Sequence, residues 1–409
     1  MKVSEIGIRP EKGYQRLYGK IFQSDKKEPF EIYYEYPEEY GSFLLESTEP
    51  FVATLLLPCL YSRENLHIEG PISEILLKNL VDIQEIYCQF FDLQPIEITC
   101  SGTTKNTKKN AKGVGAFFSL GIDSFYTLLK NRHKLPSRAP EITHLIFMEG
   151  LETFLCKATE NTKNLVLHVA EQFQLPIICG RSNLRDHFKL DWSHYFGGGL
   201  AATALSLAGG LGHILIPSSY PYSKIRPSGS TPLLDHFWQT EQVTIIHDGC
   251  EKNRSEKIVY LATKGLISLK YLRPCVENQG DAYNCGNCFK CIQVMIIMKA
   301  LGVLEKCETY PNSLPKNWET WVGFQYKSLF FRIEENLEAM RKYGTNPKLL
   351  KRYEKVASRE KIKNAVKTIL ETSLSARIFF TPFLFLRSLF KGPSFLEIMT
   401  KLKKKQNRS

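Results

Sequence analysis

Between Val114 and His247 the chain alternates short apolar runs with stretches whose apolar residues recur at helical spacing. The runs VGAFF (114–118), ITHLIFM (142–148), PIICG (176–180), HILIP (213–217) and VTIIH (243–247) read as strands. They recur about every 30 residues, the length of one βα unit. Between them Phe125, Leu128 and Leu129 share a helix face, as do Leu165, Val169 and Phe173, and Gly209, Gly210 and Gly212 end the helix LAATALSLA. This alternation predicts an α/β fold, a parallel sheet with helices on both faces.

The flanking regions have other periods. FEIYYEY (30–36) puts Phe30, Ile32, Tyr34 and Tyr36 on one face of a strand, residues 73–91 carry Leu76, Leu77, Leu80, Ile83 and Tyr87 at helical spacing, and PIEITC (95–100) returns to strand character. Residues 1–110 therefore read as an N-terminal α+β domain, closed by the polar linker TKNTKKNAKG (104–113). Residues 111–310 form the α/β domain, and 311–409 a helical, charged C-terminal extension with a basic tail. No apolar run approaches the roughly 20 residues of a membrane span. The longest candidate, Pro50–Leu60, reads as a buried segment. The N-terminus lacks the apolar stretch of a signal peptide, so a cytoplasmic location is expected.

The chemistry concentrates at two places. In VGAFF-SLGIDS-FYTLLKN (114–131) a strand enters a short loop that opens directly into a helix. Backbone N–H groups and the positive end of the helix dipole then converge on one spot, an anion site. Gly121 offers conformational freedom, Ser119 and Ser124 offer hydroxyls, and Ser124 occupies the expected N-cap. Asp123 beside phosphates implies either Mg2+ or a structural hydrogen bond to the loop. A plain strand–turn–helix corner capped by Ser and Asp is the alternative. The second place is Cys275-VENQGDAYN-Cys285-GN-Cys288-FK-Cys291, whose spacing matches a closed tetrahedral Zn2+ site, with Gly286 in a tight turn and Cys291 in the first turn of a helix. An iron–sulfur cluster and redox or core cysteines remain alternatives. The other seven cysteines are scattered and read as core residues.

S-L-G-I-D-S after a strand resembles the S-G-G-x-D-S loop of the PP-loop ATP pyrophosphatases, of HUP-type fold, which split ATP into AMP and pyrophosphate. That resemblance makes Ser119, Leu120, Gly121, Ile122, Asp123 and Ser124 the nucleotide-holding residues, with Asp123 also catalytic. Leu120 replaces a glycine, and a positive φ there would strain a leucine. A PP-loop followed by C-x9-C-G-x-C-x2-C is similar to the 7-cyano-7-deazaguanine synthase family of queuosine biosynthesis, over roughly residues 114–303. Gln293 stands where that family has an arginine, and the outer two regions have no counterpart in the compact synthase. The resemblance implies a ligase that uses ATP to activate a carboxylate, a 7-deazaguanine-type acid, and then forms an amide or nitrile with ammonia or an amine. A protein or nucleic-acid acceptor, and a nucleotide-binding module without turnover, are the rival expectations. A homodimer is left open.

Other polar residues cluster after HILIP, where open α/β sheets place ligands. Lys224 and Arg226 are catalytic candidates that would neutralise phosphate charge. Ser218, Ser230, Asp235, His236, Arg254 and the strand-end His247-Asp248-Gly249 lie near them in sequence, with Glu149, Asn183 and GGGLAATALS (197–206) as further contacts. No Ser/His/Asp or Cys/His nucleophile arrangement stands out. The net charge of +12 is concentrated in residues 373–409, which hold eight Lys or Arg against one Glu. A nucleic-acid or membrane-surface role would thus rest on the tail, and the aromatic stretch before it is broken by Pro382 and Gly392-Pro393.

Overall fold

The computed structural model describes residues 1–105, 111–137, 139–151, 157–275, 283–325 and 330–372. The basic tail and the centre of the linker lie outside them. Along the chain run β1 (Lys2–Glu11), β2 (Tyr14–Phe22), β3 (Phe30–Pro37), α1 (Glu49–Ser62), β4 (Leu66–Ser73), α2 (Glu74–Phe91) and β5 (Ile98–Thr104). Next come β6 (Gly113–Phe117), α3 (Ile122–Arg132), β7 (His144–Glu149), α4 (Lys157–Gln172), β8 (Ile177–Ser182), α5 (Leu184–His187), α6 (Trp192–Ser206), β9 (Leu211–Pro217) and β10 (Thr244–Asp248). The helices α7 (Arg254–Lys264), α8 (Leu266–Tyr271), α9 (Phe289–Ala300), α10 (Trp318–Gln325), α11 (Phe330–Tyr343) and α12 (Pro347–Thr372) follow.

All ten strands form one sheet in the order β10-β9-β6-β7-β8-β3-β2-β1-β4-β5. The run from β10 to β8 is parallel throughout. Its strands divide their residues by parity: Val114, Ala116, Leu145, Phe147 and Leu215 pack on one side with α3, α7 and α9, while Ile146, Met148, Ile178, Ile214 and Ile216 pack on the other with α1 and α6. Two buried faces explain why these strands are continuously apolar. The expected helices on both faces are present.

The sheet does not stop at the linker. β3 pairs antiparallel with β8, Tyr34 opposite Ser182, and the Asn183 side chain clamps the seam by accepting from Tyr33 N (3.0 Å) and donating to Glu31 O (2.8 Å). The apolar segment from Pro50 is α1, buried from Glu49 to Leu60 as a helix apolar all round must be. Gly198 lets it approach α6, because a Cβ there would stand 2.7 Å from Ala53 O. No helix among the described residues is long and apolar enough to cross a membrane.

Candidate nucleotide and metal sites

The C-terminal ends of β6, β9 and β10 open on one side, and the segment Phe118–Gly121 leaves β6 there. Leu120 has φ +63°, a left-handed conformation unusual for a leucine. Two features hold it: its side chain is fully buried in the core, and its carbonyl accepts from Arg273 N at 2.7 Å. Gly121 has φ −75° and ψ 166°, so the conformational freedom expected of it is used by its neighbour instead. What Gly121 supplies is space: a Cβ there would sit 3.3 Å from Ser119 Oγ and 4.0 Å from Ser124 Oγ, between the two hydroxyls.

Gly121, and not Ser124, is the N-cap of α3. Ser124 sits one turn further in, donates to Gly121 O (3.1 Å) and accepts from Ser119 N (3.4 Å), bracing the loop across its mouth. The amides of the first helical turn have no intrahelical acceptor by geometry, which leaves Ile122, Asp123 and Ser124 presenting N–H groups beside these hydroxyls.

Asp123 answers its own charge problem inside the protein. Oδ2 accepts from Arg254 Nη2 at 2.5 Å and Oδ1 from Lys257 Nζ at 3.2 Å. Burial pushes the carboxyl up, but Arg254 and Lys257, with Arg332 behind them, outweigh it and hold the group down to about 2. Both cations come from the first turn of α7, fixed by the Asn253–Glu256 capping box. Lys257 is buried and also donates to Ser218 O, at 2.5 Å. Arg332, from α11, is buried too; it donates to Ser219 O (2.8 Å) and to Glu335 (3.0 Å). Burial and the neighbouring Arg254 both lower its proton affinity. Arg254, Lys257 and Arg332 thus gather with Asp123 and Glu335 beside the first-turn amides of α3.

The structure therefore brings Ser119, Leu120, Gly121, Ile122, Asp123, Ser124 and Arg254 together, and adds Lys257 and Arg332. Lys257 and Arg332 belong to no sequence motif; they come from α7 and α11. Of the cations expected after β9, Arg226 is half-buried with its guanidinium over the Tyr220 ring, which also meets Arg332. Lys224 is exposed on the same loop, and the hydrogen bonds to Asp123 come from Arg254 and Lys257 instead.

Several other candidates have structural partners. Glu149 pairs with Lys163 at 2.9 Å, and Asn183 clamps the β3–β8 seam. Asp248 fixes α3 to β10 through Thr127 (2.8 Å) and Lys130 (2.9 Å). Gly197–Gly199 lie inside α6, whose N-cap is Asp191, and a Cβ at Gly197 would overlap the Gly229 carbonyl. These glycines serve close packing rather than a helix N-terminus. His236 is exposed. Asp235 is buried and holds Ser230 Oγ (2.6 Å) and His247 Nδ1 (2.7 Å), while Ser218 Oγ accepts from Cys250 Sγ (3.1 Å) and donates to Tyr220 O (2.7 Å).

The four clustered cysteines converge, with all Sγ atoms within 4.8 Å of one another. Cys275–Cys288 and Cys285–Cys291 are each 3.9 Å apart, against the ~3.8 Å expected for sulfurs around one tetrahedral ion with ~2.3 Å bonds. Gly286, at φ +70°, makes the tight turn, and Cys288 caps α9 with Cys291 in its first turn. Backbone N–H groups of Cys285, Cys288 and Cys291 point at sulfurs of the set, which suits thiolates. The Cys288 thiol is pushed up, first by its hydrogen bond with Cys275, and a bound cation would offset that crowding of sulfurs. The group can hold one metal ion such as zinc. Asn284 anchors it, accepting from Cys275 N and donating to Leu272 O and Thr309 O. Gln293 is buried behind the cluster and donates to Asn336 of α11.

Comparison of the chain with protein-family models, with curated proteins and with solved structures found no match in any of the three.

Proposed function

We propose that this protein is a PP-loop enzyme of HUP-type fold that activates a carboxylate with ATP, releasing pyrophosphate and forming an acyl-adenylate. The acid is of 7-deazaguanine type, and ammonia or an amine then displaces AMP to give an amide; with ammonia, a second activation of the amide oxygen by ATP and its loss on AMP gives the nitrile. The observation that carries this reading is the meeting of the Ser119–Ser124 loop with Arg254 and Lys257 at the sheet's C-terminal edge. Amides, two hydroxyls and neighbouring cations suit an oligophosphate chain.

In this mechanism the loop amides and the hydroxyls of Ser119 and Ser124 hold the β- and γ-phosphates. Arg254 and Lys257 face the charge that builds on pyrophosphate as it leaves, with Arg226 and Arg332 on the flank. Asp123 positions those two cations. With both its oxygens so engaged it does not fit as an open magnesium ligand, and ATP is taken to arrive as its magnesium complex. Zinc on the four cysteines has no open coordination position and supplies structure. The test is incubation of the purified protein with α-labelled ATP, magnesium and a panel of acids including 7-carboxy-7-deazaguanine. AMP formation that depends on the acid supports the reading. ATP left intact with every acid, or converted to ADP, rejects it.

A further inference from the structure

A buried polar network centred on Asn336 of α11 joins the four cysteines to the phosphate site. Asn336 is fully buried, and so are its partners Ser255, Gln293 and Tyr353. Its Oδ1 accepts from Ser255 Oγ at 2.6 Å and from Gln293 Nε2 at 3.3 Å, which uses both lone pairs. Its Nδ2 donates to Tyr353 OH at 3.2 Å. One side chain thereby ties α11 to α7, α9 and α12.

Two of those helices carry the sites. Ser255 lies in the first turn of α7, between Arg254 and Lys257, the cations that hold Asp123. Gln293 lies in α9, two residues past Cys291, and Cys288 is the N-cap of that helix. α11 itself adds Arg332, one turn before Asn336, which donates to Ser219 O beside the same corner. A second tie runs from the other end of the cluster. Arg273, two residues before Cys275, donates its N–H to Leu120 O of the phosphate loop at 2.7 Å.

A fully buried network has no water to replace a lost partner, so its members hold or break together. The start of α9 has two chemical states. With a metal, four thiolates converge on one ion. Without it, Cys275–Cys288 and Cys285–Cys291 meet at 3.9 Å through weak sulfur contacts alone.

We propose that metal occupancy at the four cysteines sets the affinity of the phosphate site for an oligophosphate, acting through α9, Gln293 and Asn336 on the first turn of α7. This rests on the phosphate-binding part of the function proposed above. Loss of the metal releases the first turn of α9, and Gln293 withdraws from Asn336. Ser255 then no longer fixes the turn that aims Arg254 and Lys257 at Asp123. The effect is reciprocal: the factor that the metal adds to oligophosphate affinity is the factor that the oligophosphate adds to metal affinity. Phosphate binding therefore follows the supply of the metal.

The full chain tests this in both directions, with zinc as the metal and magnesium pyrophosphate as the ligand. Titration calorimetry compares zinc-loaded protein with chelator-stripped protein that keeps the wild-type circular dichroism. Binding at least tenfold weaker after stripping, and restored by added zinc, is expected; couplings of this kind span about 5–150-fold. Equal affinities overturn the proposal and leave phosphate binding standing. No pyrophosphate binding by the zinc-loaded protein rejects the phosphate site, and the coupling with it. Should the stripped protein unfold, competition with a chelator on the loaded protein reads the same factor, as tighter zinc binding at saturating pyrophosphate. Gln293→Met keeps the length of the side chain and removes the donor to Asn336. Ser255→Ala cuts the path at its far end, away from the cysteines. Each should keep one zinc per chain and reduce the factor at least threefold. The full wild-type factor in both variants would show that zinc acts through folding alone, and overturns the route through Asn336.

Discussion

Replacing Asp123 with Asn keeps the shape of the side chain and removes its charge, which isolates the electrostatic role assigned to it. The carboxylate is held from 3.8 down to about 2 in the folded protein, by Arg254 and Lys257 acting against burial. Each tenfold change in proton affinity is about 1.4 kcal/mol, so the ionised group contributes about 2 kcal/mol to stability at neutral pH. Removing one partner of a buried pair costs about 3–5 kcal/mol when the other is stranded. Here Lys257 keeps Ser218 O, so the loss should lie near the lower figure, about 2–3 kcal/mol. The sign with pH follows from the depressed value: the contribution is complete above the unfolded carboxyl's range and is lost as pH falls towards 2. By pH 3 about half of it should remain. Urea unfolding of wild type and Asp123→Asn at pH 7 and pH 3 measures both quantities. Equal stabilities at pH 7, or a difference that does not shrink at pH 3, would refute the pairing.

Three further outcomes are expected. Elemental analysis should find one zinc per chain, lost in Cys288→Ser together with a lower melting temperature, because the segment ending at Cys275 holds Leu120 O through Arg273 N. Leu120→Gly relieves about 1–2 kcal/mol of left-handed strain, but it empties a fully buried site whose truncation costs about 3–5 kcal/mol. Net destabilisation in urea unfolding is therefore predicted, and a more stable variant would show that strain dominates. Gly197→Ala should yield little folded protein in circular dichroism, since its Cβ would overlap the Gly229 carbonyl.

How much of this was legible in the chain varies by element. β6 to β10 were readable because both faces of the sheet are buried there, which makes each strand a continuous apolar run. β1 and β2 were not: β1 buries few residues, the alternation of β2 is confined to Leu17, Gly19 and Ile21, and charged groups such as Arg9 and Arg16 pair across the sheet with Glu31 and Glu35. The join of β3 to β8 was also hidden, since it depends on a two-residue register and the Asn183 side chain. At the site, the loop and the cysteines were legible because their chemistry depends on local spacing. Lys257 and Arg332 were not, because they come from α7 and α11 and only the fold brings them beside the loop. The loop also shows how a motif letter can mislead: the unusual backbone conformation falls on Leu120, where packing and one hydrogen bond sustain it, and not on the adjacent glycine.

The claim on which the rest depends is that the turn between β6 and α3 holds the phosphates of a nucleotide. Isothermal titration of ATP into the zinc-loaded protein, with magnesium present, tests it most directly. The account predicts saturable binding with one site per chain, competed by pyrophosphate and weakened at least tenfold in Arg254→Ala. No binding heat for ATP, together with an unchanged melting temperature at millimolar ATP, would contradict it.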